Sequence, residues 1–217
     1  MPGLAVMRPG LLNGIPIGLK DIIEYEDHPT SWGSLALDGR QSSMSATVVQ
    51  KLLDSGAIIF GKTQSVEFAL GGWGTNQFFG TPWNPWDLET HRVPGWIQQR
   101  IWSCLCSWIN FSGSWHGTGG SVRLPSAFCG LVGLKPTFGR ISNYGVMPLH
   151  NTGHSRPPGT QRSDAGLLYD VLRGPDTNHT PTLYQPLDDP YIELKDGLAG
   201  IRLAALPDEK GRPVPMM

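Results

Sequence analysis

The run GGSVRLPSAFCGLVGLKPT, residues 119–137, decides how this chain is read. Gly119 and Gly120 place backbone N–H groups beside the hydroxyl of Ser121. A serine nucleophile needs that arrangement, because donors fixed in advance hold the oxyanion that develops on its target. Far upstream lies GIPIGLKD, residues 14–21, an apolar strand-like run that ends in Lys20. A lysine delivered by a buried strand gives up its proton more easily than a surface lysine, since burial disfavours the charged form. Serine with lysine, and no histidine, is one way to activate a hydroxyl. Taken singly, Lys20 would read as a solvated surface lysine and Ser121 as a turn residue. The long flanking blocks around both give the pair its meaning.

The composition bounds the answer. The 217 residues can fill one sizeable core or a compact pair of domains. A net charge of -1 and a sequence pI near 6.6 point away from nucleic acid and from an anionic membrane surface. Hydrophobic residues make up 39%, yet no apolar run reaches the roughly 18 residues that a transmembrane helix needs. The N-terminus has an early proline and no apolar h-region, so it reads poorly as a signal peptide. The three cysteines have no paired spacing, which argues against a disulfide framework and makes a reducing cytoplasm the expected location. With 28 glycines and 19 prolines, many loops and tight turns are expected.

The pattern predicts a strand over 14–19, a helix from Ala46 to Ser55 stopped by Gly56, and a short buried strand from Ala57 to Phe60. Ser65 to Leu70 reads as the opening of another helix, and 71–95 as a loop rich in Gly, Trp, Asn and Pro. Residues 128–135 read as apolar and partly buried. Ser163-Asp164 is expected to cap a helix that runs through Leu167, Leu168, Val171 and Leu172 to Gly174-Pro175. Residues 176–192 are polar and Pro-rich, and Gly200 to Leu206 gives one more strand. Helices alternating with short apolar strands favour an α/β sheet. Both ends read as cut, since Lys20 lies close to the start and the chain stops at VPMM soon after the last strand.

Four blocks carry a family resemblance: GIPIGLKD, then ATVVQKLLDSGAIIFGKT, then EFALGG with NPWD, then GGSVRLPSAFCGLVGLKPTFGRIS. Together they resemble the amidase signature family over most of residues 10–205, with the signature block at 92–143. The resemblance implies an α/β amidase signature fold, a mixed twisted sheet flanked by helices, here a partial amidase domain over 1–217 that is incomplete at both ends. It implies hydrolysis of carboxylic amides by a Ser-Ser-Lys triad. By position, Lys20 matches the general base and acid, and Ser121 the acyl-forming nucleophile. The N–H groups of Thr118, Gly119, Gly120 and Ser121 match the oxyanion hole. The implied partner is a small-molecule amide, with no cofactor, no metal and no membrane, and a homodimer is among the assemblies it allows. Nucleic acid enters only through one branch of the family, the catalytic A-subunit of glutamyl-tRNA(Gln) amidotransferase. An inactive remnant is the remaining alternative.

The sequence departs from that pattern at the third member of the triad. The bridging serine belongs to a GGSSGG-type run shortly after VPG, and here Val93-Pro94-Gly95 leads into WIQQR, so Ile97 stands at its position. An isoleucine neither accepts nor donates a proton. Gly117 replaces the aspartate usual before the oxyanion threonine. Four of the eight tryptophans (Trp96, Trp102, Trp108 and Trp115) and two of the three cysteines (Cys104 and Cys106) fall in 96–118, with no Asp, Glu or Lys. An aromatic binding surface or a Trp-rich core would account for this, but a reading-frame error accounts for more. Tryptophan has one codon, TGG, and read one base later it always becomes glycine. With permitted codons for the rest, residues 94–104 then read PGGSSSGSGAA, which restores a serine at position 97. The suspect run is 96–117. A second one, at 153–162, begins GHSRP and reads DTPGP under the same shift.

Other signals have plainer readings. Gly56 to Thr63 satisfies GxxxxGKT, the pattern of a phosphate-cradling loop. Its intervening residues, Ala57, Ile58, Ile59 and Phe60, prefer a strand, so Lys62 is not expected to hold phosphate. His150 and His154 lie in a Gly/Pro loop with no third ligand near, and a metal site is not expected there. Arg123 reads as a structural partner, Cys129 as a packed thiol, and Trp73, Trp83 and Trp86 as anchors of loop and core.

Overall fold

The computed structural model describes residues 10–71, 74–92, 110–111, 122–148, 158–159, 161–186, 200 and 202. Its centre is a β-α-β unit. Strand β1 (Pro16–Lys20) leads through a long loop to helix α1 (Thr47–Asp54) and then to strand β2 (Ile58–Thr63). β2 lies parallel to β1, which a crossover helix permits and a tight turn does not. Strand β3 (Asn110–Phe111) pairs parallel with the other edge of β1, giving the order β2-β1-β3. Helix α2 (Arg123–Cys129) is followed by strand β4 (Val132–Gly133), which pairs antiparallel with strand β5 (Pro158–Gly159). Helix α3 (Arg162–Leu172) comes next.

The helices form because their apolar residues share one face. In α1, Val48, Val49 and Leu52 are buried, and in α3, Ala165, Leu168 and Leu172 are. These spacings put one stripe of each helix on the core. The core joins them to Ile17 and Leu19 of β1. Burial of each large aliphatic side chain contributes roughly 1.5–3 kcal/mol. Lys51 holds the two helices together, donating from Nζ to the carbonyls of Leu172 at 3.2 Å and Arg173 at 2.7 Å. A cation on the last carbonyls of α3 satisfies groups that the helix itself leaves open.

The expected strand at 14–19, helix at 46–55 and loop at 71–95 agree with the described residues. Several boundaries need correction. β2 runs three residues past Phe60, through Gly61-Lys62-Thr63, because those residues continue the ladder with β1. Ser65 to Leu70 contains only a 3-10 turn at Glu67–Ala69, in which Phe68 and Ala69 have φ of 47° and 52°. Such left-handed backbone cannot propagate as a helix. Residues 128–135 are divided between the end of α2 and β4. α2 itself was not expected; Pro125 lies in its first turn, where its missing N–H costs no helical bond. The cap of α3 is Gln161 rather than Ser163. Gln161 and Asp164 form a reciprocal capping box, with the Gln161 N–H donating to Asp164 Oδ2 at 3.0 Å. The suspect run 153–162 contributes Pro158–Gly159 to β5 and Gln161-Arg162 to the start of α3. Of the strand expected at 200–206, only Gly200 and Arg202 are described, and neither is in a strand.

Candidate active site

Lys20 is the last residue of β1 and is 1% exposed. Its Nζ has no hydrogen-bond partner among the described residues. Burial alone lowers its pKa from 10.5 to about 8. About one in ten such lysines is free amine at pH 7, far more than for a solvated lysine, which suits a general base.

A bulge sets where Lys20 stands. Ile17 pairs with Ile59 and Gly18 with Gly61, so Phe60 is an extra residue on β2. A Cβ on Gly18 would lie 2.9 Å from Thr63 Cγ2 and 3.0 Å from Phe60 Cζ, so a side chain here would have to displace those two. Past the bulge, Leu19 pairs with Lys62 and Lys20 with Thr63. Paired residues share a face and successive residues alternate, so Lys20 and Lys62 leave the ladder on opposite faces.

The turn after Lys20 is held by polar groups. The Ile23 N–H donates to the Lys20 carbonyl at 3.0 Å, and the Asp21 N–H to the Thr63 carbonyl at 2.8 Å. Asp21 Oδ2 accepts from the Ser31 N–H at 3.0 Å and from Ser31 Oγ at 2.5 Å. Lys62 Nζ donates to the Ile23 carbonyl and to Thr30 Oγ1, the latter at 2.7 Å, and stands 3.8 Å from Asp21 Oδ1. Thr30 Oγ1 lies 2.7 Å from Ser42 Oγ, which donates to Glu24 Oε2 at 2.5 Å. Glu24 Oε1 accepts from Arg40 Nη2 at 2.6 Å and Trp32 Nε1 at 3.1 Å. Burial lowers the Lys62 pKa to about 8 against the pull of Asp21 and Glu24. Burial likewise raises the Asp21 carboxyl, opposed by Ser31 and Lys62. A cleft of about 500 Å³ opens beside this network, lined among others by Asp21, Ser31, Lys62 and Ser65. Lys20 is not in its lining.

Ser121, Thr118, Gly119, Gly120 and Ile97 lie outside the described residues, as do His150, His154, Trp73 and most of the suspect run 96–117. Within that run, Asn110 pairs with Gly18 and Phe111 with Leu19. The GxxxxGKT run is strand through its Gly-Lys-Thr, and no helix starts there, so the N–H groups of a phosphate cradle do not converge. Arg123 is exposed. Cys129 is buried, and burial pushes its thiol up to about 11, which leaves it protonated and inert. Trp86 is 76% exposed and covers Gly130 at the end of α2, so it fastens loop to helix without entering the core. Among the described residues no cluster of His, Cys, Asp and Glu could hold a metal, and no helix is long and apolar enough to cross a membrane.

Sequence reading missed Glu24, Thr30, Arg40 and Ser42, which occupy a polar loop with no spacing signal. Lys62 carried a signal, but for the wrong chemistry.

A family model described as Amidase matches residues 5–95 and 116–214. The stretch between the two matched parts, 96–115, is unmatched. The chain is 39% identical over 199 residues to the glutamyl-tRNA(Gln) amidotransferase A-subunit of Coxiella burnetii (strain RSA 493 / Nine Mile phase I), covering 91% of this chain and 41% of that protein. It therefore spans well under half the length of that curated relative. Its fold matches the crystal structure of the glutamyl-tRNA(Gln) amidotransferase A-subunit from Thermotoga maritima with a TM-score of 0.68 and 31% identity, over 86% of this chain and 41% of that one. It matches native peptide amidase from Stenotrophomonas maltophilia with a TM-score of 0.66 and 28% identity, over 84% of this chain and 38% of that one. The architecture is thus the α/β amidase signature fold, in part, and with the family model matched over most of its length this chain belongs to the amidase family.

Proposed function

We propose that this chain carries the base and the nucleophile of a serine–lysine amide hydrolase, with the relay between them missing. One observation carries the reading: a wholly buried amine at the end of a parallel strand, with no hydrogen-bond partner among the described residues and a pKa lowered by burial to about 8. With a serine restored at position 97, neutral Lys20 would accept a proton from that serine, which would take one from Ser121 as Ser121 attacks the amide carbonyl. The N–H groups of Thr118, Gly119, Gly120 and Ser121 stabilise the tetrahedral oxyanion, each donor contributing about 3–4 kcal/mol. Ammonia or an amine leaves, and water releases the acid. The substrate is a small-molecule amide, the location cytoplasmic, and no cofactor takes part. A homodimer is compatible with this scheme.

Ile97 breaks the relay as the chain stands. The reading-frame explanation of 96–117 is supported by the interruption of the family match at 96–115. Sequencing the source DNA tests it, and an in-frame natural sequence encoding WIQQR would end it. The functional test is acyl transfer from a primary amide to hydroxylamine. The chain as written gives a near-background signal. Replacing 96–117 by the shifted reading restores a signal that Ser121→Ala and Lys20→Met each abolish. A repaired chain with no Ser121-dependent acyl transfer would overturn the proposal.

The second reading is the catalytic A-subunit of a glutamyl-tRNA(Gln) amidotransferase, favoured by the 39% identity to the Coxiella burnetii protein. Co-purification with a tRNA-binding partner separates it from a free-standing amidase.

A further inference from the structure

We propose that Lys62 is the positioning residue of this site: from the reverse face of the sheet it clamps the turn that Lys20 opens, and so keeps the Lys20 amine in its dry place. The inference rests on Lys20 being the general base.

The geometry is a short closed circuit. Lys62 is held beside Leu19 by the ladder, one residue before Lys20. Its Nζ donates to the carbonyl of Ile23, the residue whose own N–H closes the turn on the Lys20 carbonyl. The same Nζ donates to Thr30 Oγ1 and faces Asp21, the residue directly after Lys20. One ammonium therefore ties both the near end (Asp21 to Ile23) and the far end (Thr30) of the loop back to the strand that neighbours Lys20. Asp21 Oδ1, buried and without a hydrogen-bond partner among the described residues, lies 3.8 Å from the same Nζ. The Lys20 amine itself has no hydrogen-bond partner among the described residues to hold it. Its placement and its dryness come from the backbone that carries it and from what packs over that backbone. The charged groups that act on Lys62 are Asp21, Glu24 and Arg40, whereas burial alone acts on Lys20.

The test is the titration of the Lys20 side chain in the full chain, followed by the NMR signals of its Cε and Nζ and assigned with Lys20→Met. It requires neither Ser121 nor an amide, so its failure is distinct from failure of the hydrolase reading. The Lys20 midpoint is expected near 8 in the parent chain. In Lys62→Met it rises by about one unit as water reaches the amine. In Thr30→Val, which removes one acceptor at nearly constant volume, it rises by less. A role confined to stability would lower the unfolding midpoint and leave the Lys20 titration of the folded protein unmoved, and that result overturns the proposal. Should Lys62→Met not fold, Thr30→Val alone decides: an unshifted midpoint rejects the clamp.

Discussion

Asp176 reaches Thr47 across 129 positions of the chain, its Oδ2 accepting from Thr47 Oγ1 at 2.6 Å. The same oxygen accepts from Ser142 Oγ, and Oδ1 accepts from the Asn178 N–H at 2.8 Å. Thr47 is the first residue of α1, so a carboxylate from late in the chain sits at the positive end of an early helix.

Burial works to raise the Asp176 carboxyl, but the hydrogen bonds from Ser142, Thr47 and Asn178 outweigh it and hold the group below the usual carboxylate range. A depressed folded-state value stabilises above the unfolded value near 4 and loses that contribution as pH falls through the folded value. Asp176→Asn is expected to cost about 1–3 kcal/mol at pH 7 and much less under acid. Urea unfolding at both pH values checks this, and an equal loss at both would contradict it.

Lys20→Met is expected to stabilise the fold while removing the base. The folded-state pKa is lowered from 10.5 to about 8, so the cost of charging the buried amine is fully present below pH 8. It is relieved as pH rises toward 10.5. At pH 7 the gain is on the order of 3 kcal/mol, from 1.36 kcal/mol per unit. Denaturant midpoints from pH 7 to pH 10.5 should converge for the two proteins. A less stable Lys20→Met at pH 7 would rule this out.

ATP is expected to leave the unfolding temperature unchanged, with and without Lys62→Ala. The Gly-Lys-Thr of the GxxxxGKT run is paired in β2, and the Lys62 ammonium is already committed to Ile23 and Thr30. Stabilisation by ATP that is lost in Lys62→Ala would restore the phosphate-binding reading.

Gly145→Ala is expected to destabilise by more than about 1 kcal/mol. Gly145 has φ of 75°, and a Cβ there would lie 2.5 Å from Ala46 Cα. Its carbonyl also accepts from the Glu24 N–H at 2.9 Å, so a shift of this backbone would disturb the loop beyond Lys20. Calorimetry of the folded variant measures the effect. An unchanged unfolding temperature would show that the two backbones can separate.

Local signals carried much of the fold. Alternating apolar residues ending at Lys20, and helical spacing from Val48 to Leu52 closed by Gly56, marked β1 and α1 because each pattern is decided within a few residues. α2 escaped, since the effect of Pro125 depends on which turn of the helix holds it. The extension of β2 through Thr63 depends on its partner strand, which no local pattern contains. At the site, Lys20 was legible from the strand before it. The clamp was not, because Asp21, Ile23 and Thr30 meet Lys62 only after the loop has closed. Polar residues in a loop look alike in sequence whether they face water or one another.

The strand that bears Lys20 has parallel neighbours on both flanks, from residues 58–63 and 110–111. Neither flank can be supplied by adjacent chain. During synthesis, the greasy segment from Leu12 to Leu19 emerges long before its second neighbour exists, and it must wait uncovered. Recovery of this protein from cells should therefore depend on translation speed and on holdase chaperones more than on its final stability.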